Sequence, residues 1–167
     1  MLVITGGMGA GKTSILAEAS DILVLRHIAH AAIDVDALGI GFLPTSGNDD
    51  AMYANLRSVC KNYATLGVQR FLLARAIEDR GQLEVCRNAT SATEIVVCRL
   101  IGSIETMQRR IQIRETGVLG QQYIDRLAKL KLILDHARLE DFSVTNENRS
   151  LTDVAFEILV NAGWISN

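Results

Sequence analysis

Gly6-Gly-Met-Gly-Ala-Gly-Lys-Thr13 constrains this chain more than any other stretch. It follows directly on a short apolar run, Met1-Leu-Val-Ile-Thr5. Its spacing is G-x-x-x-x-G-K-[ST]: Gly6, four residues, then Gly11, Lys12 and Thr13. Glycines let the backbone turn with its N–H groups pointing inward around a phosphate. A helix starting near Lys12 adds the positive end of its dipole. Such a loop needs a buried strand before it and an amphipathic helix after it. Leu2-Val3-Ile4 supplies the strand. Ile15, Leu16, Ala19, Ile22 and Leu23 recur at helical spacing and supply the helix.

The expected nucleotide-binding set is therefore Gly6, Gly7, Met8, Gly9, Ala10, Gly11, Lys12, Thr13 and Ser14. Lys12 would bring an ammonium to the β- and γ-phosphates of ATP, and the Thr13 hydroxyl would ligate Mg²⁺.

A chain of 167 residues with 49% hydrophobic content reads as one domain able to bury a full core. The net charge of −2 lacks the basic footprint of a nucleic-acid binder. Cys60, Cys86 and Cys98 are scattered without a C-x-x-C and read as reduced, packed thiols. No apolar stretch is long enough to span a bilayer. The sequence enters its first strand with no charged leader, so a cytoplasmic protein without a membrane partner is expected. Monomer and homodimer both remain open.

A second strand is expected over Ala31-Ala-Ile-Asp-Val-Asp36. Asp34 and Asp36 would then share one face at the strand's carboxyl end, where open parallel sheets bind ligands. Aspartates also end strands by forming turns, which is the competing reading. The histidines of Arg26-His-Ile-Ala-His30 read as part of a surface connection rather than a metal site. Residues 37 to 50 are glycine-rich, hold Pro44, and read as a long irregular loop on the acceptor side, a region running to about residue 66.

A helix from Asp50 to Thr65 follows, with Met52, Leu56, Val59 and Tyr63 inward and Gly67 ending it. A third strand is expected over Val68 to Ala76. Arg75 near its end either faces an acceptor or pairs with Glu78 or Asp79. Next come a helix from Ile77 to Arg87, a strand from Glu94 to Ile101, and a helix from Ser103 to Glu115. On that last helix Arg110 and Arg114 flank the stripe Ile104, Met107, Ile111, while Arg109 points away.

Thr116 to Gly120 reads as a short break, within a lid of about residues 114 to 121. A helix from Gln121 to Leu139 carries Ile124, Leu127, Leu130, Leu134 and Ala137 inward, with Arg126 on its flank. Phe142 to Thr145 is the last strand. Ser150-Leu-Thr-Asp153 is a capping-box-like start to the last helix, Gly163 ends that helix, and Trp164 is expected to pack back. Five strands alternating with helices give an α/β three-layer sandwich. Its parallel sheet has right-handed crossovers and the expected strand order 2-3-1-4-5.

With these pieces in place the chain resembles the small P-loop kinases: shikimate, gluconate and adenylylsulfate kinases and, more distantly, adenylate kinase. Ile33-Asp-Val-Asp-Ala-Leu38 is similar to the D-x-D stretch of shikimate kinase. The resemblance implies Asp34 as an aid to Mg²⁺ and Asp36 as the group that meets the acceptor hydroxyl. Arg110-Ile-Gln-Ile-Arg114 is similar to the R-x-x-x-R that opens adenylate-kinase lids, and Asn146 falls in the turn that cradles adenine. The third strand ends Ala-Arg-Ala, unlike the named families, so their acceptor specificity does not carry over.

The expected activity is ATP-dependent transfer of a phosphoryl group to a hydroxyl of a small-molecule acceptor. Lys12, Asp36 and Arg114 would do the catalysis. Arg110 and Asn146 would bind nucleotide, and Asp36, Arg75 and Arg126 would meet the acceptor. A regulatory ATPase module and a nucleoside or polynucleotide kinase are the alternatives.

Overall fold

In a computed structural model of the chain, which describes residues 1–41, 47–114 and 118–166, the first apolar run becomes β1 (Leu2–Gly6), buried along its whole length. It lies at the centre of a five-stranded sheet. Its neighbours are β3 (Phe71–Ala74) and β4 (Val96–Ile101), with β2 (Ala31–Asp34) and β5 (Phe142–Thr145) at the edges, all parallel, in the order 2-3-1-4-5. Side chains alternate between the two faces, as a period of two requires. Leu2, Ile4, Leu72, Ala74, Cys98 and Leu100 join one apolar cluster, and Val3, Phe71, Leu73 and Val97 join the other.

The first cluster is closed by α1 (Lys12–Leu25) and α6 (Leu151–Asn161). The five buried residues of α1 are the five of the sequence stripe. Ser150 caps α6 by accepting from the Asp153 N–H at 3.0 Å. Gly163 follows that helix at φ +69° and Trp164 packs on the cluster. The second cluster is closed by α2 (Asn48–Thr65) and α3 (Arg80–Thr90). Met107 and Ile111 of α4 (Ile104–Arg114) and Leu127 of α5 (Val118–Ala137) extend the first.

Several boundaries differ from the sequence reading. The second strand stops at Asp34 because its own carboxylate turns the chain: Asp34 Oδ1 accepts from the Asp36 N–H at 3.2 Å. Asp36 then opens a 3₁₀ turn, Asp36–Gly39, so the two aspartates do not share a face of an extended strand. The third strand is shorter than Val68–Ala76, and Arg75 lies just beyond it. Helix α3 starts three residues later than Ile77, because Asp79 accepts from the Gln82 N–H at 2.9 Å and fixes the cap there. The side chain of Gln82 returns the contact to the Glu78 N–H at 3.0 Å. Asp79-x-x-Gln82 was a legible start signal.

Val118 to Gly120 belong to α5 rather than to a break. A glycine inside a helix costs only about 1 kcal/mol and does not end it. Residues 115 to 117 of the expected lid, and 42 to 46 of the expected acceptor loop with Pro44, lie outside the described residues. In α2 the inward face is Met52, Tyr53, Leu56 and Cys60, whereas Tyr63 in the last turn is 40% exposed. No helix among the described residues is long and apolar enough to cross a membrane.

The packing of α6 on α1 makes a direct stability test. Ile158 is fully buried between them, while Leu151 is 42% exposed. Ile158→Ala should cost about 2–5 kcal/mol in chemical denaturation. Leu151→Ala should cost under about 1 kcal/mol.

Candidate active site

The loop between β1 and α1 is pressed against α4 and against the turn after β5. A Cβ on Gly9, at φ +75°, would sit 2.5 Å from the Met107 carbonyl oxygen. A Cβ on Gly11, at φ +93°, would sit 2.5 Å from the Asn146 amide nitrogen. Both positions therefore require glycine on two counts, conformation and space.

Asn146, almost fully buried, donates its amide to the Ala10 carbonyl at 2.7 Å. Arg110 donates to the carbonyls of Gly9 at 3.3 Å and Asn146 at 2.9 Å, with a longer reach to Ala10. So Arg110 faces the loop, while Arg109 is exposed, as the helical phase predicts. Asn146 holds the loop itself, a tie that the sequence did not reveal. Met8 packs against the first cluster and Ser14 is exposed.

Glu147, next to Asn146, accepts from the Ser103 N–H at 3.2 Å and from the hydroxyls of Ser103 and Thr106. It thereby holds Ser103, the residue before α4, whose hydroxyl in turn accepts from the Thr106 N–H at 3.2 Å. Hydrogen bonds from Thr106 and Ser103 hold its carboxyl below the ordinary value of 4.5.

Lys12 folds onto the loop, with Nζ 3.1 Å from the carbonyl oxygens of both Gly6 and Gly7. It is half-buried rather than fully at the surface. Burial pushes its pKa below 10.5, the Asp36 and Asp34 carboxylates push it back up, and Arg114 pushes it down. The charge of Arg114 therefore reaches this site from the end of α4, where its side chain is exposed.

The Thr13 hydroxyl donates to Asp34 Oδ2 at 2.7 Å. These two groups come from the start of α1 and the end of β2. Both are hard oxygen donors, the kind that suits Mg²⁺, and the arrangement can hold such an ion beside Lys12.

Asp36 turns the other way. Its Oδ1 accepts from Arg75 Nη1 at 2.6 Å. Arg75 Nη2 lies 3.8 Å from Asp49 Oδ1, and the guanidinium stacks 5.2 Å from the centre of the Tyr53 ring. Its partners are thus Asp36 and Asp49, not Glu78 or Asp79. Glu78 pairs instead with Arg126 at 2.8 Å, tying the approach to α3 to α5. His30 bonds Ser20 and the Ile28 carbonyl, both at 2.8 Å.

No family model and no curated sequence matches this chain. Solved structures do. A tunicamycin resistance protein from Deinococcus radiodurans is 15% identical, with a TM-score of 0.67 over 98% of this chain and 96% of that one. A shikimate kinase from Acinetobacter baumannii, in complex with shikimate, is 16% identical, with a TM-score of 0.64 over 99% and 94%. A gluconokinase from Sinorhizobium meliloti 1021 is 18% identical, with a TM-score of 0.60 over 97% and 90%. The fold is that of the shikimate/gluconate-kinase-like P-loop proteins. At these identities the likeness speaks for the fold alone, and what happens at the site rests on its own residues.

Two tests follow from the way the loop is held. Arg110→Ala and Asn146→Ala should each weaken ATP binding about tenfold or more, since each leaves loop carbonyls without a charged or buried partner. Arg109→Ala should change it less than twofold, measured by calorimetric titration. For Glu147 the sign is that of a carboxylate whose folded pKa is depressed. Its stabilisation is present above the ordinary value and is lost as pH falls through the folded one. Glu147→Gln should lower the melting temperature at neutral pH, and the gap to wild type should close as pH falls below the ordinary carboxyl value and through the depressed one.

Proposed function

We propose that this chain transfers the γ-phosphate of ATP to a hydroxyl group of a small molecule. The contact that carries the reading is Thr13 to Asp34 at 2.7 Å, beside Lys12 and two residues from Asp36. A glycine loop alone would speak only for phosphate binding. A hydroxyl and a carboxylate set together at its rim, with a second carboxylate oriented beside them, add what phosphoryl transfer needs.

The loop and the start of α1 bind the phosphates. Lys12 exchanges the Gly6 and Gly7 carbonyls for phosphate oxygens and there offsets charge as the phosphoryl group moves. Thr13 and Asp34 would hold Mg²⁺, which would supply neutralisation of the phosphate charge. Asp36 orients the acceptor hydroxyl and accepts its proton as the oxygen bonds to the γ-phosphorus and ADP leaves. Arg110 fixes the loop, and Arg114 adds positive charge from the end of α4. The names of the gluconokinase and shikimate kinase neighbours are compatible with a small hydroxylated acceptor.

ATP with Mg²⁺ at about 100 times its dissociation constant should stabilise the fold by about 2.7 kcal/mol. Absence of any thermal shift with any nucleotide would defeat the proposal. Lys12→Ala should remove most turnover and leave the protein folded. Asp36→Asn should keep nucleotide affinity and lower acceptor-dependent turnover by roughly 10²–10⁴-fold. Asp34→Asn should instead raise the Mg²⁺ concentration needed for activity. A Mg²⁺ titration of both variants separates the two roles, and reversed phenotypes would exchange them.

A further inference from the structure

The acceptor side of the site is built from the Asp36–Gly39 turn, the first turn of α2 and the residues after β3. Arg75 is the guanidinium held among them, with one nitrogen hydrogen-bonded and the rest packed away from solvent. Nη1 meets Asp36 Oδ1 at 2.6 Å and the Met52 sulfur at 3.0 Å. Nη2 faces Asp49 at 3.8 Å. One face lies on the Tyr53 ring. Among the described residues, Nε is buried with no hydrogen bond of ordinary geometry, as is the Tyr53 hydroxyl beside it. The side chain is only 11% exposed. Among the described residues, packing covers the guanidinium edge that a substrate carboxylate would grip.

The carboxylates around it are open. The Asp36 side chain is 58% exposed and that of Asp49 is 74% exposed. Asp50 adds a further negative charge in the same first turn of α2. Arg126, which the sequence offered as an acceptor contact, is bound to Glu78. The rim thus turns two carboxylates outward around one buried guanidinium that Asp36 already pairs. Such a rim repels anions and attracts cations.

Resting on the phosphotransferase reading above, we propose that the acceptor is a hydroxylated molecule bearing amino groups and no acid group. Asp36 and Asp49 receive it through their outward oxygens, and Arg75 is the positioning residue that orients both carboxylates. This reading departs from an acid acceptor such as the shikimate bound in the neighbouring kinase structure. The carboxylates that this rim turns outward would repel such a group.

The test is ADP release with matched acceptors in three arms: amino sugars and amino alcohols, their N-acetylated forms, and sugar acids. The free amines should exceed their N-acetylated forms in kcat/KM by about tenfold or more, the scale of one hydrogen bond to a charged group. The acids should show no turnover above background. Asp49→Asn should lower the ratio of free amine to N-acetylated acceptor about tenfold.

Arg75→Met should reduce kcat more than KM, and Arg75→Lys should recover part of that loss. A thermal shift with ATP and Mg²⁺ verifies that each variant is folded. Preference for acids, equal use of amines and N-acetylated forms, or ATP binding with no turnover in any arm would overturn the inference. In the first two cases the phosphotransferase reading survives. Loss of wild-type nucleotide binding would instead overturn that reading itself.

Discussion

The site depends on a backbone contact too close for any side chain. Gly9 meets the Met107 carbonyl and Gly11 meets the Asn146 amide at distances that would put a Cβ 2.5 Å from its neighbour. This contact brings the loop against α4 and the turn after β5, where Arg110 and Asn146 tie down its carbonyls. The Ala10 carbonyl, once fixed by Asn146, dictates the direction of the next N–H. Across a planar trans peptide the two groups point oppositely, so the Gly11 N–H faces away from Asn146. An anion-binding loop requires that preorganisation, because N–H groups that must first reorient contribute less to holding a phosphate. Glu147, by fastening the start of α4, makes the same turn responsible for both walls.

The surroundings of Asp36 follow from register. Parallel pairing sets Asp34 opposite Ala74, and the Val35 N–H still reaches the Ala74 carbonyl at 3.1 Å. That register delivers Arg75 beside the turn that Asp34 itself initiates. Asp34 thus acts twice: one oxygen closes the turn and the other accepts from Thr13. The turn sends Asp36 towards Arg75, 2.6 Å away. Two carboxylates only two residues apart are thereby given separate partners and separate surroundings. Division of that kind is what allows like groups to take different roles.

The sheet order was legible in the sequence because the signals were strong and local. The apolar runs Leu2–Ile4 and Phe71–Ala74 suit only buried strands, and the stripes of α1 and α6 repeat without interruption. The loop and the orientation of Arg110 were legible for the same reason, since spacing alone determines them. What stayed hidden depends on contacts between distant segments. Asn146 lies 136 residues from Ala10 in the chain, and no periodicity links them. The partners of Arg75 are 39 and 26 positions away, so its nearer neighbours Glu78 and Asp79 looked equally good. The misjudged end of β2 had a local cause, an aspartate able to serve both as a strand residue and as the first residue of a turn.

Charge around Lys12 supplies the last connection between fold and chemistry. Burial disfavours its ammonium, and the carboxylates of Asp36 and Asp34 favour it. Those same carboxylates oppose a polyphosphate arriving beside them. Each is partly offset already, Asp34 by the Thr13 hydroxyl and Asp36 by Arg75, but only the second offset is a full positive charge. Asp34 is therefore the carboxylate whose charge remains to be matched when phosphate enters. A divalent cation held by Asp34 and Thr13 would match it. On the proposed reading, the asymmetry between the two aspartates, built by a turn and a strand register, would give the metal to Asp34 and leave Asp36 for the acceptor.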